Sequence, residues 1–372
     1  MSTESHVSRL SSAGSDRSGW WLLGALGAAL VVWPTACVEP VDAVVDNGPV
    51  LDAVGPNVVL PALDDYLSSL DALQTEVERW SDTGEIAGAR AAFAQAMDRW
   101  QVVDVMRVAL DDGTDPVALR DETYSWPVVN GCRVDQITTS KEYTDGVADL
   151  LVNARGLDAL EHLLYSGVDN VCPSQVPPNS DNTWDTLVDL DSERAAYATA
   201  IVEDLRSQES VFRSTWQAAR PASLQAIIDG LFVFETEIKD AKLGHPLGLI
   251  DCDTFDCADA AEGLPDSNSS AWIAANLEGF RALFTGGDGV GIDDLLTDVG
   301  SGDVATEVVQ RTTTAIAMAE ALDGSLSTEI VDNRQAVVEL YDELNAIDDL
   351  LRIDVTGMLS LQIPAVVGGD ND

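Results

Sequence analysis

The densest group of reactive side chains lies in Asn-Ala-Arg-Gly-Leu-Asp-Ala-Leu-Glu-His-Leu-Leu-Tyr, residues 153–165. On a helix, Asp158, Glu161 and His162 stand at i, i+3 and i+4, which gathers them on one face. Two carboxylates and an imidazole can ligate a divalent or ferric ion. Leu157, Leu160, Leu163 and Leu164 form the opposing stripe, so the pattern equally suits the solvated face of an amphipathic helix. Other chemistry finds little support. His162 and His245 are the only histidines beyond the N-terminal segment. The sequence holds no P-loop, dinucleotide fingerprint or His-Glu-x-x-His zinc motif.

A second group, Glu-Ile-Lys-Asp-Ala-Lys-Leu-Gly-His-Pro-Leu-Gly (237–248), carries Lys239 and Lys242, two of the chain's three lysines, and His245. Basic residues in a last helical turn complement the helix dipole, which is a sufficient structural reason for them. A third group runs from Pro265 to Arg281, where Asp266 or a serine among 267–270 can cap a helix.

The elements that must carry these groups read as helix after helix. Residues 59–80 space Leu60, Leu63, Leu67, Leu70, Leu73 and Val77 by three or four, and residues 85–110 repeat the pattern with Ala92, Phe93, Ala96, Trp100, Val103 and Met106. Further helices are predicted over 144–166, with a break near Gly156, and over 184–219, 222–243, 270–285, 303–322 and 327–359. No sustained alternation argues for a sheet. About eight helices over roughly 300 residues predict an all-α fold of two helical bundles. The expected division is 59–180 and 181–362, with 363–372 a disordered tail.

The N-terminus reads as an export signal. Residues 20–33 form an uncharged apolar run, shorter than the roughly 20 residues of a bilayer span and suited to a signal peptide. It ends in Pro34-Thr35-Ala36-Cys37, similar to a bacterial lipobox in which Cys37 is lipidated. Residues 38–58 then read as a flexible tether. Four cysteines remain, an even number that suits disulfides in an exported chain. Cys252 and Cys257 share a short acidic loop, which leaves Cys132 with Cys172. A thiolate metal site is the alternative, although the spacing matches no zinc pattern.

Charge narrows the function classes. The chain has 20 Lys and Arg against 64 Asp and Glu, a formal charge of −44. Such a surface repels phosphates, so no nucleic-acid partner is expected, and it attracts cations. A salt-adapted surface alone would also explain it.

Four strings, in order, resemble the imelysin-like family of bacterial periplasmic proteins and lipoproteins. They are Trp126-Pro127 through Asn130, Cys132, Arg133, Asp135 and Gln136, after the Trp100 region; the 153–165 string; Lys-Leu-Gly-His-Pro-Leu-Gly (242–248); and Ser267, Ser270, Asn276-Leu-Glu-Gly-Phe. The resemblance implies an all-α fold of two four-helix-bundle-like halves packed around a central cleft that holds the site, and either a metallopeptidase or a component of iron uptake. The family hallmark, Gly-x-His-x-x-Glu, falls on Gly156, Asp158 and Glu161, so a carboxylate replaces its histidine. That makes an oxygen-rich site suited to iron or calcium. Asp158, Glu161 and His162 are therefore the expected metal ligands. The cleft set is Arg133, Asp135, Arg155, Lys242, His245, Ser270 and Asn276, with Trp126 and Pro127 shaping the wall. The expected protein is a monomeric lipoprotein of the cell envelope, facing the periplasm from the outer membrane. It binds a metal ion, iron foremost, or a metal-loaded ligand for uptake. No catalytic residue is assigned. The rivals are a metal-dependent peptidase and a non-catalytic peptide- or polysaccharide-binding lipoprotein.

Overall fold

The computed structural model describes residues 46–114, 116–263 and 269–365. The export segment, Cys37, Asp266 and Ser267 lie outside the described residues, as does most of the expected tail. Among the described residues there is no β-strand, only an isolated bridge between Leu110 and Pro221.

Helix α1 spans Gly48–Val54 and runs through a π-helical turn, Gly55–Val59, into α2, Leu60–Thr83. Val50, Val54, Val58 and Val59 are buried. Residues 48–58, expected within the tether, are therefore part of the folded body, because their valines recur at helical spacing. In α2, Leu63, Leu70, Leu73 and Val77 are buried as the three- and four-residue steps predict, Leu60 and Leu67 of the same stripe are only partly buried, and Tyr66 and Trp80 are buried besides. Helix α3, Ala87–Asp104, packs against it.

A short α4, Pro116–Thr123, and α5, Gly131–Ser140, precede α6, Gly156–Tyr165. Helix was expected from 144 with a break near Gly156; the break is where α6 begins, but the residues before it form only short 3-10 turns, Glu142–Asp145 and Val152–Ala154. Gly156 has φ +75° and lies so close to the Thr123 carbonyl that a Cβ would sit 2.5 Å from its oxygen. The left-handed start and the close approach both require glycine.

The long α7, Leu190–Ala218, is capped by Asp189, which accepts from the Ser192 N–H. It packs on α2 and α6. The predicted 222–243 helix divides into α8, Leu224–Leu231, and a π-helical segment, Phe234–Gly244. Then come α9, Ser269–Thr285; α10, Ile292–Asp298; α11, Gly302–Glu320; α12, Leu326–Asp332; and α13, Arg334–Asp349. Helix α3 packs on α9 as well as on α2, and α9 packs on α11. The α3–α9 contact needs Gly279, where a Cβ would lie 2.2 Å from the Val102 carbonyl oxygen. Gly279→Ala is expected to destabilise the chain by about 1–3 kcal/mol through overpacking; an unchanged urea midpoint would contradict this.

Cys132–Cys172 and Cys252–Cys257 are both disulfides. Alkylation of the denatured, unreduced protein should therefore modify none of these four cysteines. Mass spectrometry that finds labelled Cys132 or Cys252 would refute the pairing. Among the described residues no helix is long and apolar enough to cross a membrane.

Candidate functional site

Asp158, Glu161 and His162 are 4%, 7% and 8% exposed, so α6 has no solvated face at these positions. Asp158 and His162 serve different partners. Asp158 Oδ2 accepts from both the backbone N–H and the hydroxyl of Ser125. Burial pushes its carboxyl up to about 7, against the pull of the Ser125 bonds and of Arg120. His162 pairs through Nε2 with Asp135 Oδ1 at 3.0 Å, and through Nδ1 with the Ser166 hydroxyl at 2.9 Å. Asp135 Oδ2 accepts from the Val171 N–H. Asp158 thus serves the connection between α4 and α5, and His162 serves α5 itself. Among the described residues no three His, Cys, Asp or Glu side chains converge as a metal set. Asp158 Oδ2 and both ring nitrogens of His162 are taken up by protein partners, so this arrangement does not fit a three-ligand ion site.

Around Asp158 lies a strap, residues 123–126, fixed by buried acids from three different segments. The Thr123 hydroxyl donates to Glu209 of α7 at 2.9 Å. The Tyr124 hydroxyl donates to Glu262 at 2.7 Å. Ser125 donates to Asp158 of α6. Arg120 Nη1 donates to the Trp126 carbonyl at 3.0 Å. Burial also pushes the Glu209 carboxyl up to about 7.

Glu262 links the strap to the second half of the chain. Lys242, fully buried, lies 2.9 Å from Glu262 and donates to Gln101 Oε1 at 2.6 Å and to Asn276 Oδ1 at 2.9 Å. Asn276 Nδ2 donates back to Gln101. Asp104 stands 3.8 Å from Lys242, 3.0 Å from Arg107 and 3.1 Å from Arg120. Its burial would raise its pKa, but these three cations outweigh that and hold the carboxyl well below the usual range. Arg107 also pairs with Glu237 at 2.8 Å. Sequence reasoning placed Lys242 and Asn276 here but missed Gln101, Asp104, Arg107, Arg120, Tyr124, Glu209 and Glu262. A signal existed for Asp104, which continues the buried register of Ala96, Met97 and Trp100 along α3.

The other expected cleft residues lie apart. Arg133 pairs with Glu142 near the surface, and Arg155 pairs with Glu122 and Asp204. Ser270 is buried, and its N–H donates to the Gly324 carbonyl.

His245 does reach an opening. Its Nδ1 lies 3.2 Å from the Ile250 carbonyl. It lines a recess of about 370 Å³ with Trp126, Pro127, Asp240, Ala241 and Asp251. A second recess of about 520 Å³, edged by Asp256 and Asp259, shares His245 and Ala260 with the first. The combined cleft has an aromatic and aliphatic wall with carboxylates at its rim, and its volume suits a small organic ligand. The strap therefore carries one wall of the cleft, Trp126, on its last residue.

Residues 59–351 match the family model described as Imelysin. No curated protein matches the chain. Among solved structures, an imelysin-like protein from Psychrobacter arcticum 273-4 superposes with a TM-score of 0.66 at 19% identity, covering 84% of this chain and 95% of that one. A putative iron-regulated protein A precursor from Parabacteroides distasonis ATCC 8503 superposes with a TM-score of 0.56 at 13% identity, covering 82% of this chain and 94% of that one. Both likenesses concern the fold.

Proposed function

The chain belongs to the imelysin family, and on that premise we propose that it is a non-catalytic binding protein of the bacterial cell envelope, accessory to iron uptake. Its cargo is a metal-loaded ligand, held in the cleft between Trp126 and His245. The observation that carries this reading is the contrast between the two candidate places. Asp158 Oδ2 and both ring nitrogens of His162 are taken up within the protein, whereas the cleft is open and walled by apolar groups. The iron-regulated description of one structural neighbour supports the choice of metal. Charge defines the cargo further. Asp240, Asp251, Asp256 and Asp259 edge the cleft of a chain with formal charge −44. An anionic chelate would be repelled, and a neutral or cationic iron complex with an organic shell would be drawn in.

Ferrioxamine B, a cationic ferric hydroxamate, is a suitable probe. Calorimetric titration should show one-to-one binding to the wild type. Ala241→Trp, which fills the recess, should weaken it at least tenfold, while Glu161→Gln binds as the wild type does. No binding heat with the wild type, or equal affinity in Ala241→Trp, would contradict the reading.

The proposal places the protein on the outer membrane through a lipid on Cys37, facing the periplasm, as a monomer serving an uptake system. Cys37→Ser should move it from membrane to soluble fractions. An unchanged distribution would refute the anchor.

A further inference from the structure

Behind the strap, between α3, α4 and α7, lies a small, partly open chamber of about 20 Å³. Its lining includes Trp100, Asp104, Arg120 and Glu209, which are 3%, 2%, 7% and 2% exposed. Each carries one buried polar atom without a hydrogen-bond partner among the described residues: Trp100 Nε1, Asp104 Oδ2, Arg120 Nη2 and Glu209 Oε2. Asp104 Oδ2 has only the long ion-pair contact to Lys242, and Arg120 Nη2 only that to Glu237 at 3.9 Å. Two of the four atoms are donors and two are acceptors.

We propose that this chamber is a binding site for one water molecule, held by Trp100 and Arg120 as donors and by Asp104 and Glu209 as acceptors. The volume exceeds the roughly 10–15 Å³ that a single water needs, and a buried water typically takes two to four polar partners. The site's position gives the water a role. Glu209 holds Thr123 through its other oxygen, and Arg120 holds the Trp126 carbonyl. The water ties these two groups to each other and to α3, and so braces the segment that carries Trp126.

A crystal structure of the wild type at a resolution that orders waters should show a single peak there, within hydrogen-bond reach of at least three of the four atoms. Glu209→Met should remove the peak and Glu209→Gln should retain it. In solution, oxygen-17 relaxation dispersion should count one fewer long-lived water in Glu209→Met than in the wild type. An empty chamber in the wild type overturns the proposal. So does a peak, or a water count, unchanged in Glu209→Met. Should that variant fail to fold, the wild-type peak and its partners decide alone.

Discussion

Replacing Lys242 with methionine is expected to destabilise the chain by about 3–5 kcal/mol, the usual cost of removing one partner from a buried ion pair. Methionine nearly matches the volume, so the loss is one of charge and hydrogen bonds. Lys242 neutralises Glu262 at 2.9 Å and donates to both Gln101 and Asn276. Without it Glu262 keeps two donors, Tyr124 and Gln101, but no counter-charge in contact. Asp104 is less affected because Arg107 and Arg120 remain. Urea unfolding measures the effect. Lys242→Met/Glu262→Gln should recover a large part of the loss, since no buried charge is then stranded. A loss under about 1 kcal/mol in the single variant, or no recovery in the double, would show that the network is not the junction described here.

Acidification from pH 7.5 to 5.5 is expected to raise the thermal midpoint, although acid destabilises many proteins. The cause is Glu209, whose carboxyl is raised from 4.5 to about 7 because burial penalises its charge. Between these values the folded state binds more protons than the unfolded one, so stability falls as pH rises. The contribution is fully present below about 4.5 and is lost through about 7, on the order of 3 kcal/mol over that whole window. Asp158 adds a contribution of the same sign. Asp104 acts oppositely, but its lowered carboxyl titrates only in stronger acid. Relief of the repulsion among 64 carboxylates works in the same direction as Glu209. Glu209→Gln should flatten the dependence without abolishing it. A midpoint that falls on acidification, or a slope unchanged in Glu209→Gln, would refute this reading.

The long helices were legible because their apolar residues repeat over many turns. Leu63, Leu70, Leu73 and Val77, and the stripe from Ala92 to Val103, are buried where the spacing placed them, with Leu67 only partly so. Both disulfides were legible because one pair shares a short loop and leaves only one other. The character of α6 was not. Its leucine stripe suggested an opposite, wet face, but α5, α7 and the strap cover that face too, so all of Asp158, Glu161 and His162 are inside. Local spacing cannot reveal enclosure by distant segments. The same limit hid the central network, in which Gln101 meets Glu262 across 161 residues and Thr123 meets Glu209 across 86. The π-helical turn from Phe234 was also missed. In it Phe234, Ile238 and Lys242 are buried together at intervals of four, and an ordinary helical pattern looks almost the same.

The central claim is that cargo iron sits in the cleft and not on α6. Anomalous diffraction at the iron edge, from crystals soaked in ferrioxamine B, tests it most directly. The account predicts one iron peak in the cleft between Trp126 and His245, with none beside Glu161. A peak coordinated by Asp158, Glu161 and His162 would contradict it and would return those residues to the role of metal ligands.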